Sequence, residues 1–161
     1  MNLRIGFGYD VHQLKENNSL NLGGITIPHT KGTIGYSNGD VLIHSICDAL
    51  LGAANLGDIG IHFPDTSPEF KGIDSKILLK RTVDLLNKEG YSIINIDSTV
   101  CLQKPKINDF IPGMKKILAD VMNIGIEDIS IKATTTEKLG FVGSEEGIST
   151  YAVALIEKKQ D

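Results

Sequence analysis

The sequence has no surplus of basic charge. Its 161 residues carry 16 Lys and Arg against 20 Asp and Glu, a formal net charge of −4, which argues against a nucleic-acid binder with its basic face. No stretch approaches the roughly 18 apolar residues of a membrane helix. Met1 to Ile5 shows no apolar signal core and no long Arg- and Ser-rich presequence. The expectation is a cytoplasmic protein of bacterial type, or one of an organelle stroma if a presequence was removed, with no nucleic acid and no membrane as partner. Cysteine is scarce. Cys47 and Cys101 lie far apart, form no Cys-x-x-Cys pair, and read as two buried reduced thiols outside the chemistry. Internal repeats, low-complexity tracts and linkers are missing as well.

What is present suits one domain, 1–161, large enough to bury a core without disulfides. Apolar residues make up 41 % and charged residues 22 %, as in ordinary soluble proteins. Glycine is plentiful and clusters between Gly23 and Gly60, which suggests tight turns around a site.

Leu3 to His12 reads as a strand, followed by a second strand-like run from Leu20 to Ile27 that Pro28 ends. Gly32 to Gly39 reads as a loop. Asp40 is a good N-cap for a helix from Val41 to about Leu56, whose Leu42, Ile46, Ala49, Leu50 and Ala53 recur at helical spacing. Asp58 to Gly72 reads as a loop punctuated by Pro64 and Pro68. A second helix runs from Asp74 or Ser75 to Gly90. Ser92 to Leu102 is a strand with Ile94, Ile96, Val100 and Leu102 on one face. A third helix covers roughly Asp109 to Met122, with Pro112 tolerable near its first turn. Ile129–Ala133 and Ile148–Ile156 are the last strands, flanking a loop from Thr134 to Gly147. The expected fold class is α+β: a two-layer domain with helices packed on one face of a mixed β-sheet. Asn95, Asp97 and Thr99 on the other face suit a subunit interface, so an oligomer is expected.

Asp10 and His12, two apart near a strand end, share one face. Asp40, His44 and Asp48, four apart, form a polar stripe on an apolar helix. If strand end meets helix start, one carboxylate and two imidazoles converge, and three N/O ligands with an open fourth position are the pattern of a catalytic zinc. Asp40 could orient a ligating imidazole through its other nitrogen. On spacing alone, Asp-x-His on a strand is common and a partly buried His44 satisfied by ordinary hydrogen bonds is favoured over a metal ligand. His29 reads as loop structure, and His62, beside a phosphate-like loop, stays open between the two roles.

Gly6-Phe7-Gly8 resembles the start of a dinucleotide fingerprint, but Val11 stands where the third glycine should be, and that reading is rejected. Asp58 to Asp65 offers backbone N–H groups and two carboxylates in a constrained loop, or is a plain connection. Thr134, Thr135 and Thr136, followed by Glu137 and Lys138 just past a strand, can bond phosphate or ribose oxygens and hold a hard cation, or are simply β-formers.

Taken together, GYDVHQL at Gly8–Leu14, the run from Ser37 to Thr66, FKGIDS at Phe70–Ser75 and KATTTEKLGF at Lys132–Phe141 closely resemble the 2-C-methyl-D-erythritol 2,4-cyclodiphosphate synthase family of the non-mevalonate isoprenoid pathway. The resemblance implies a homotrimer with active sites between neighbours. It places zinc on Asp10, His12 and His44, and a magnesium or manganese ion on Glu137. It places the erythritol and diphosphate part of a cytidine diphosphate substrate near Tyr36, Ser37, Asp58, Gly60, Phe63, Pro64 and Asp65. The cytidine end falls to the adjacent subunit's Asp48, Leu102, Pro105, Lys106, Ile107, Thr134 and Thr135, with Phe141 among the substrate contacts and Lys106 and Thr135 among the catalytic ones. The implied reaction is attack of the substrate's own 2-phosphate on its β-phosphorus, with release of CMP, a cyclising phosphorus–oxygen lyase reaction.

Two departures stand out. Tyr36-Ser37-Asn38 replaces the His-Ser-Asp of many members, so Tyr36 can donate a hydrogen bond but brings no positive charge. Ser144 and Tyr151 replace an Arg and a Glu with which some members bind an isoprenoid diphosphate inside the trimer's central channel. Two other classes compete with the synthase reading: a non-catalytic metal- and nucleotide-binding module, and a purely structural oligomer that carries no metal.

Overall fold

Two residue populations alternate along the first strand, and that alternation organises the molecule. A computed structural model describes residues 2–159, so the outermost ends of the expected 1–161 domain lie outside the described residues. Strand β1, Leu3–Glu16, continues past its expected end at His12. Gly6, Gly8, Asp10, His12 and Leu14 point to one side; Ile5, Phe7, Tyr9 and Val11 point to the other.

Strand β1 pairs antiparallel with β7, Gly147–Lys158, with Asp10 opposite Thr150 and His12 opposite Ile148. Strand β7 pairs antiparallel with β5, Tyr91–Cys101, and β5 pairs parallel with β6, Ile129–Thr134. On the other edge β1 carries β4, Lys31–Thr33, a short strand that overlaps the start of the Gly32–Gly39 segment that reads as loop. The sheet order is β4-β1-β7-β5-β6, a mixed sheet as expected.

The run Leu20–Ile27 is not one strand. It is a hairpin of β2, Leu20–Leu22, and β3, Ile25–Ile27, turned at Gly23 and Gly24. Both glycines have positive φ, +60° and +81°, the backbone that a two-residue type I′ turn requires at both central positions.

Helix α1, Val41–Ala53, stops short of Leu56 because the chain leaves helical geometry at Asn55, φ 59°, and Gly57, φ 82°. A single turn, α2 at Ile59–His62, lies in the segment that reads as loop. Helix α3 spans Ser75–Lys88 and α4 spans Ile111–Met122, with Pro112 in the first turn where its missing N–H costs nothing. A last turn, α5 at Gly140–Gly143, interrupts the segment before β7. None of the described helices is long and apolar enough to cross a membrane.

The core lies between α1, α3 and α4 and the near face of the sheet, where Leu42, Ile46, Leu50, Leu79, Ile96 and Ile156 are fully or almost fully buried. Each contributes about 1.5–3 kcal/mol by leaving water. Helix α1 sits unusually close to β1. A Cβ on Gly6 would lie 1.8 Å from the Ala49 carbonyl oxygen, and one on Gly8 would lie 1.9 Å from that of Ser45. The Gly-x-Gly pair therefore serves helix–strand contact, which agrees with the rejected nucleotide fingerprint.

The expected face of β5 holds only in part. Ile96 and Val100 are buried, but a register shift between Ile93 and Asn95 turns Ile94 outward. Such a bulge inserts one residue and reverses the alternation. The far side of the sheet is also less polar than Asn95, Asp97 and Thr99 indicate. Beside them β1 and β7 expose Ile5 at 72 %, Phe7 at 62 %, Tyr9, Val11, Tyr151 and Val153. Tyr9 packs on Tyr151 with ring centroids 5.1 Å apart, while Asp97 pairs with Lys132.

Candidate metal centre and its pocket

The close approach of α1 to β1 determines where His44 falls. Gly6 faces Ala49 and Ala53, and Gly8 faces Ser45 and Ala49, so the helix runs antiparallel to the strand. Beyond the glycines, the same strand face presents Asp10 and His12 to the first turn of α1. There Asp10 Oδ2, His12 Nε2 and His44 Nδ1 form a triangle with edges of 2.9, 3.0 and 3.2 Å. Tetrahedral zinc with bonds of 2.0–2.1 Å spaces its donors about 3.3 Å apart. One carboxylate and two imidazoles at this spacing fit a divalent metal, and among the described residues this is the cluster that does so.

The electrostatics agree. Burial acts to raise the Asp10 carboxyl, but the hydrogen bonds and charges of His12 and His44 outweigh it and hold the pKa down at about 2. Burial acts to lower His12, and the Asp10 carboxylate outweighs it, so that pKa is raised. The carboxylate that favours a proton on His12 would equally favour a cation in the proton's place, with binding releasing that proton.

Asp40 does not orient an imidazole. It is fully buried and accepts from the N–H groups of Gly23, Gly24 and Ile43 at 3.0, 2.7 and 3.1 Å. It caps α1 and ties the β2–β3 turn to it, because helical geometry points an N-cap side chain back over its own first turn. The far nitrogen of His44 instead meets hydroxyls: Nε2 lies 3.0 Å from Ser37 Oγ and 3.0 Å from Ser75 Oγ. His12 is anchored by Nδ1, which donates to the Ile34 carbonyl oxygen at 2.5 Å.

The triad opens on a pocket of about 410 Å³ whose walls include Tyr36, Ser37, Gly60, Phe63, Pro64 and Asp65. Most of the residues expected around the erythritol diphosphate thus share one cavity with the triad. Asp58 does not line it; its side chain caps α2 by accepting from Ile61 N–H at 3.1 Å. The N–H groups of Ile59, Ile61 and Phe63 are already engaged, by Asp48, Asp58 and the Ile59 carbonyl. The turn therefore offers fewer free donors than its loop-like sequence suggests. Tyr36 Oη donates to the Ser67 carbonyl oxygen at 3.0 Å. His62 faces away and donates to the Leu56 carbonyl oxygen. Thr66, Phe70 and Leu78 complete the wall, and nothing in their residue types announces that place.

Leu102, Pro105, Lys106, Ile107, Thr134 and Thr135 line a separate pocket of about 210 Å³. Asp48 is not brought to it. It lies on α1 and ties down α2 by accepting from Ile59 N–H at 2.8 Å, and burial raises its carboxyl. Glu137 is exposed, with φ +54°, and its Oε1 accepts from Thr135 Oγ1 at 3.1 Å. Phe141 stands on α5 outside both pockets, against Gly147. Cys47 is buried and its thiol is pushed up to about 12 by burial, an inert group as expected; Cys101 is only half-buried. Tyr151 lies in the aromatic patch, and Ser144 Oγ donates to the Phe141 carbonyl oxygen.

With this geometry established, comparison with known proteins identifies relatives. A family model described as the YgbB family matches residues 3–157. The 2-C-methyl-D-erythritol 2,4-cyclodiphosphate synthase of Bacteroides thetaiotaomicron is 62 % identical over 98 % of this chain and 99 % of its own. A solved structure of the bifunctional IspDF from Campylobacter jejuni superposes with a TM-score of 0.94 at 43 % identity; the match covers 98 % of this chain but 43 % of that longer one. IspF of Plasmodium falciparum, solved as a CDP complex, gives a TM-score of 0.86 at 37 % identity over 99 % of this chain and 98 % of its own.

Proposed function

This chain belongs to the YgbB family, and on that premise we propose that it converts 4-diphosphocytidyl-2-C-methyl-D-erythritol 2-phosphate to 2-C-methyl-D-erythritol 2,4-cyclodiphosphate with release of CMP, in non-mevalonate isoprenoid biosynthesis. The observation that carries the reading is the triangle of Asp10, His12 and His44 at the mouth of a pocket walled by Tyr36, Ser37 and Phe63 to Asp65. As chemistry it is a cyclising phosphorus–oxygen lyase. An oxygen of the 2-phosphate forms a bond to the β-phosphorus, the bond from that phosphorus to the bridging oxygen breaks, and the electron pair leaves with CMP.

The attacking phosphate is already ionised near neutral pH, so no strong base is needed. The barrier is the approach of two anionic groups and the folding of a flexible chain into a ring. Zinc on Asp10, His12 and His44, with magnesium or manganese on Glu137, supplies positive charge that offsets this repulsion. Ser37 and the Phe63–Asp65 segment confine the erythritol diphosphate, an orientation effect of several kcal/mol on the scale of about 7–11 available to well-aligned intramolecular reactions. Lys106 places a further positive charge beside the leaving phosphates, and Thr134 and Thr135 hold the cytidine end together with Leu102, Pro105 and Ile107.

The chain acts as one domain, 1–161, in a cytoplasmic homotrimer. Its two pockets lie apart on one subunit, and a neighbour's cytidine pocket completes each metal centre. The exposed apolar face of β1 and β7 supports this assembly. Phosphorus NMR of the protein with substrate, zinc and magnesium is expected to show CMP and a cyclic diphosphate; neither signal appearing rejects the reading. His44→Ala is expected to lower turnover by at least about 100-fold, beyond the usual effect of an outer-shell change, while retaining cytidine binding. Unchanged turnover would mark the triad as a feature of a binding module.

A further inference from the structure

His44 is held from behind as well as used from in front. Its Nε2 lies 3.0 Å from Ser75 Oγ and 3.0 Å from Ser37 Oγ. A hydroxyl can donate or accept, so these two contacts alone leave the protonated nitrogen of His44 undecided. The groups behind the hydroxyls decide it.

Asn38 Oδ1 receives the backbone N–H of Asp40 at 3.3 Å, the backbone N–H of Ser75 at 3.3 Å and the Ser75 hydroxyl at 2.6 Å. Two backbone donors fix that atom as the amide oxygen, because an amide NH₂ accepts nothing. An oxygen of this kind only accepts, so the Ser75 hydroxyl hydrogen goes to Asn38. Ser75 Oγ then turns lone pairs alone toward His44, so in that contact Nε2 can only donate. Ser37 Oγ fits the same order. It accepts from Gly39 N–H at 3.2 Å and stands 3.3 Å from Ser75 Oγ, an acceptor for its hydrogen once the Ser75 hydrogen goes to Asn38.

With its proton on Nε2, the neutral ring of His44 keeps a lone pair on Nδ1, the atom that faces Asp10 and His12. His12 is set the opposite way, since the Ile34 carbonyl fixes its proton on Nδ1 and frees Nε2. Ser75 is fully buried. It is not the cap of α3, a task done by Asp74, which accepts from Lys76 N–H.

We propose that Ser75 and Asn38 are positioning residues for the metal centre: Asn38 aims the Ser75 hydroxyl, and Ser75 holds His44 in the form whose Nδ1 is open to a cation. This rests on the metal reading given above.

The test uses the whole protein, zinc affinity measured by competition with a chromophoric chelator, and ¹⁵N-histidine spectra. Ser75→Ala and Asn38→Ala are each expected to weaken zinc binding by about 10–100-fold. Asn38→Ala does so without touching a metal ligand, by freeing the Ser75 hydroxyl to donate to Nε2. Asn38→Asp, whose carboxylate also accepts, is expected to restore wild-type affinity. If Ser75→Ala does not fold, Ser75→Cys keeps the size with a weak hydrogen-bonding group and takes its place. Wild-type zinc affinity in both alanine variants, with only the melting temperature lowered, overturns the proposal and leaves a purely structural role. Spectra of the zinc-free protein at alkaline pH separate the two readings. An Nδ1–H signal from His44 overturns the relay, whereas a wild type that binds no zinc overturns the metal reading itself.

Discussion

Asp10 and His12 hold each other in charged forms, and that mutual effect has a pH signature. The folded pKa of Asp10, about 2, is below its ordinary 3.8, so its contribution to stability is present above 3.8 and is lost as pH falls through about 2. The folded pKa of His12 is above its ordinary 6.5. Its contribution is complete below 6.5 and is lost as pH rises through the raised value. Thermal melts of chelator-treated protein are therefore expected to show wild type gaining most over Asp10→Asn between about pH 4 and 6.5, with the advantage shrinking on both sides. Saturating zinc is expected to reverse the alkaline limb, because a metal needs neutral imidazoles and its binding strengthens as protons leave. Identical melts with and without zinc at alkaline pH count against metal on this triad. The residue types of the triad were legible in the chain. Its outer contacts were not: the helix register made Asp40 look like a partner of His44, whereas an N-cap turns back to its own first turn, and Ser75 arrives from 31 residues away.

At the scale of elements, the site depends on how near α1 lies to β1. That distance is set by two glycines whose missing side chains admit helix backbone. Gly8→Ala is expected to destabilise the fold by about 3 kcal/mol, the upper end of the usual overpacking cost, because the obstructing atom is a carbonyl oxygen that cannot turn aside. A urea titration measures this, and the same variant is expected to bind zinc less tightly, since α1 must carry His44 outward with it. A midpoint within the error of wild type would mean that helix and strand separate freely, contrary to the packing described here. Helix boundaries were readable where a cap or glycine marked them, as at Asp40. The bulge at Ile94 and the strand β4 were not, because both are created by pairing with a partner strand and leave no period of their own in the chain.

Over the whole molecule, the sheet has one face covered by helices and one face open, with Ile5, Phe7, Tyr9, Val11, Tyr151 and Val153 in the open face. A contiguous apolar patch of this kind marks an association surface, and in the proposed trimer it is shared between subunits. Phe7→Asp would place a charge at the centre of that surface and is expected to convert the trimer to monomer in sedimentation velocity. Synthase turnover is expected to fall with it, because each metal centre loses the neighbour's cytidine pocket. A Phe7→Asp protein that sediments as wild type would place the interface elsewhere.

The chain by itself determined the residue chemistry and the order of elements. Period-two alternation put Asp10 and His12 on one strand face, an N-cap announced the helix that carries His44, and long ordered motifs pointed to a family whose membership the full-length relatives bear out. Those signals are local, so they survive in sequence. Tertiary structure alone decided which distant groups meet: Ser75 and Asn38 behind His44, Asp40 under the Gly23–Gly24 turn, and the separation of the two pockets on one subunit. Those contacts depend on helix-to-strand distance and strand pairing, and both are set by close packing across the fold.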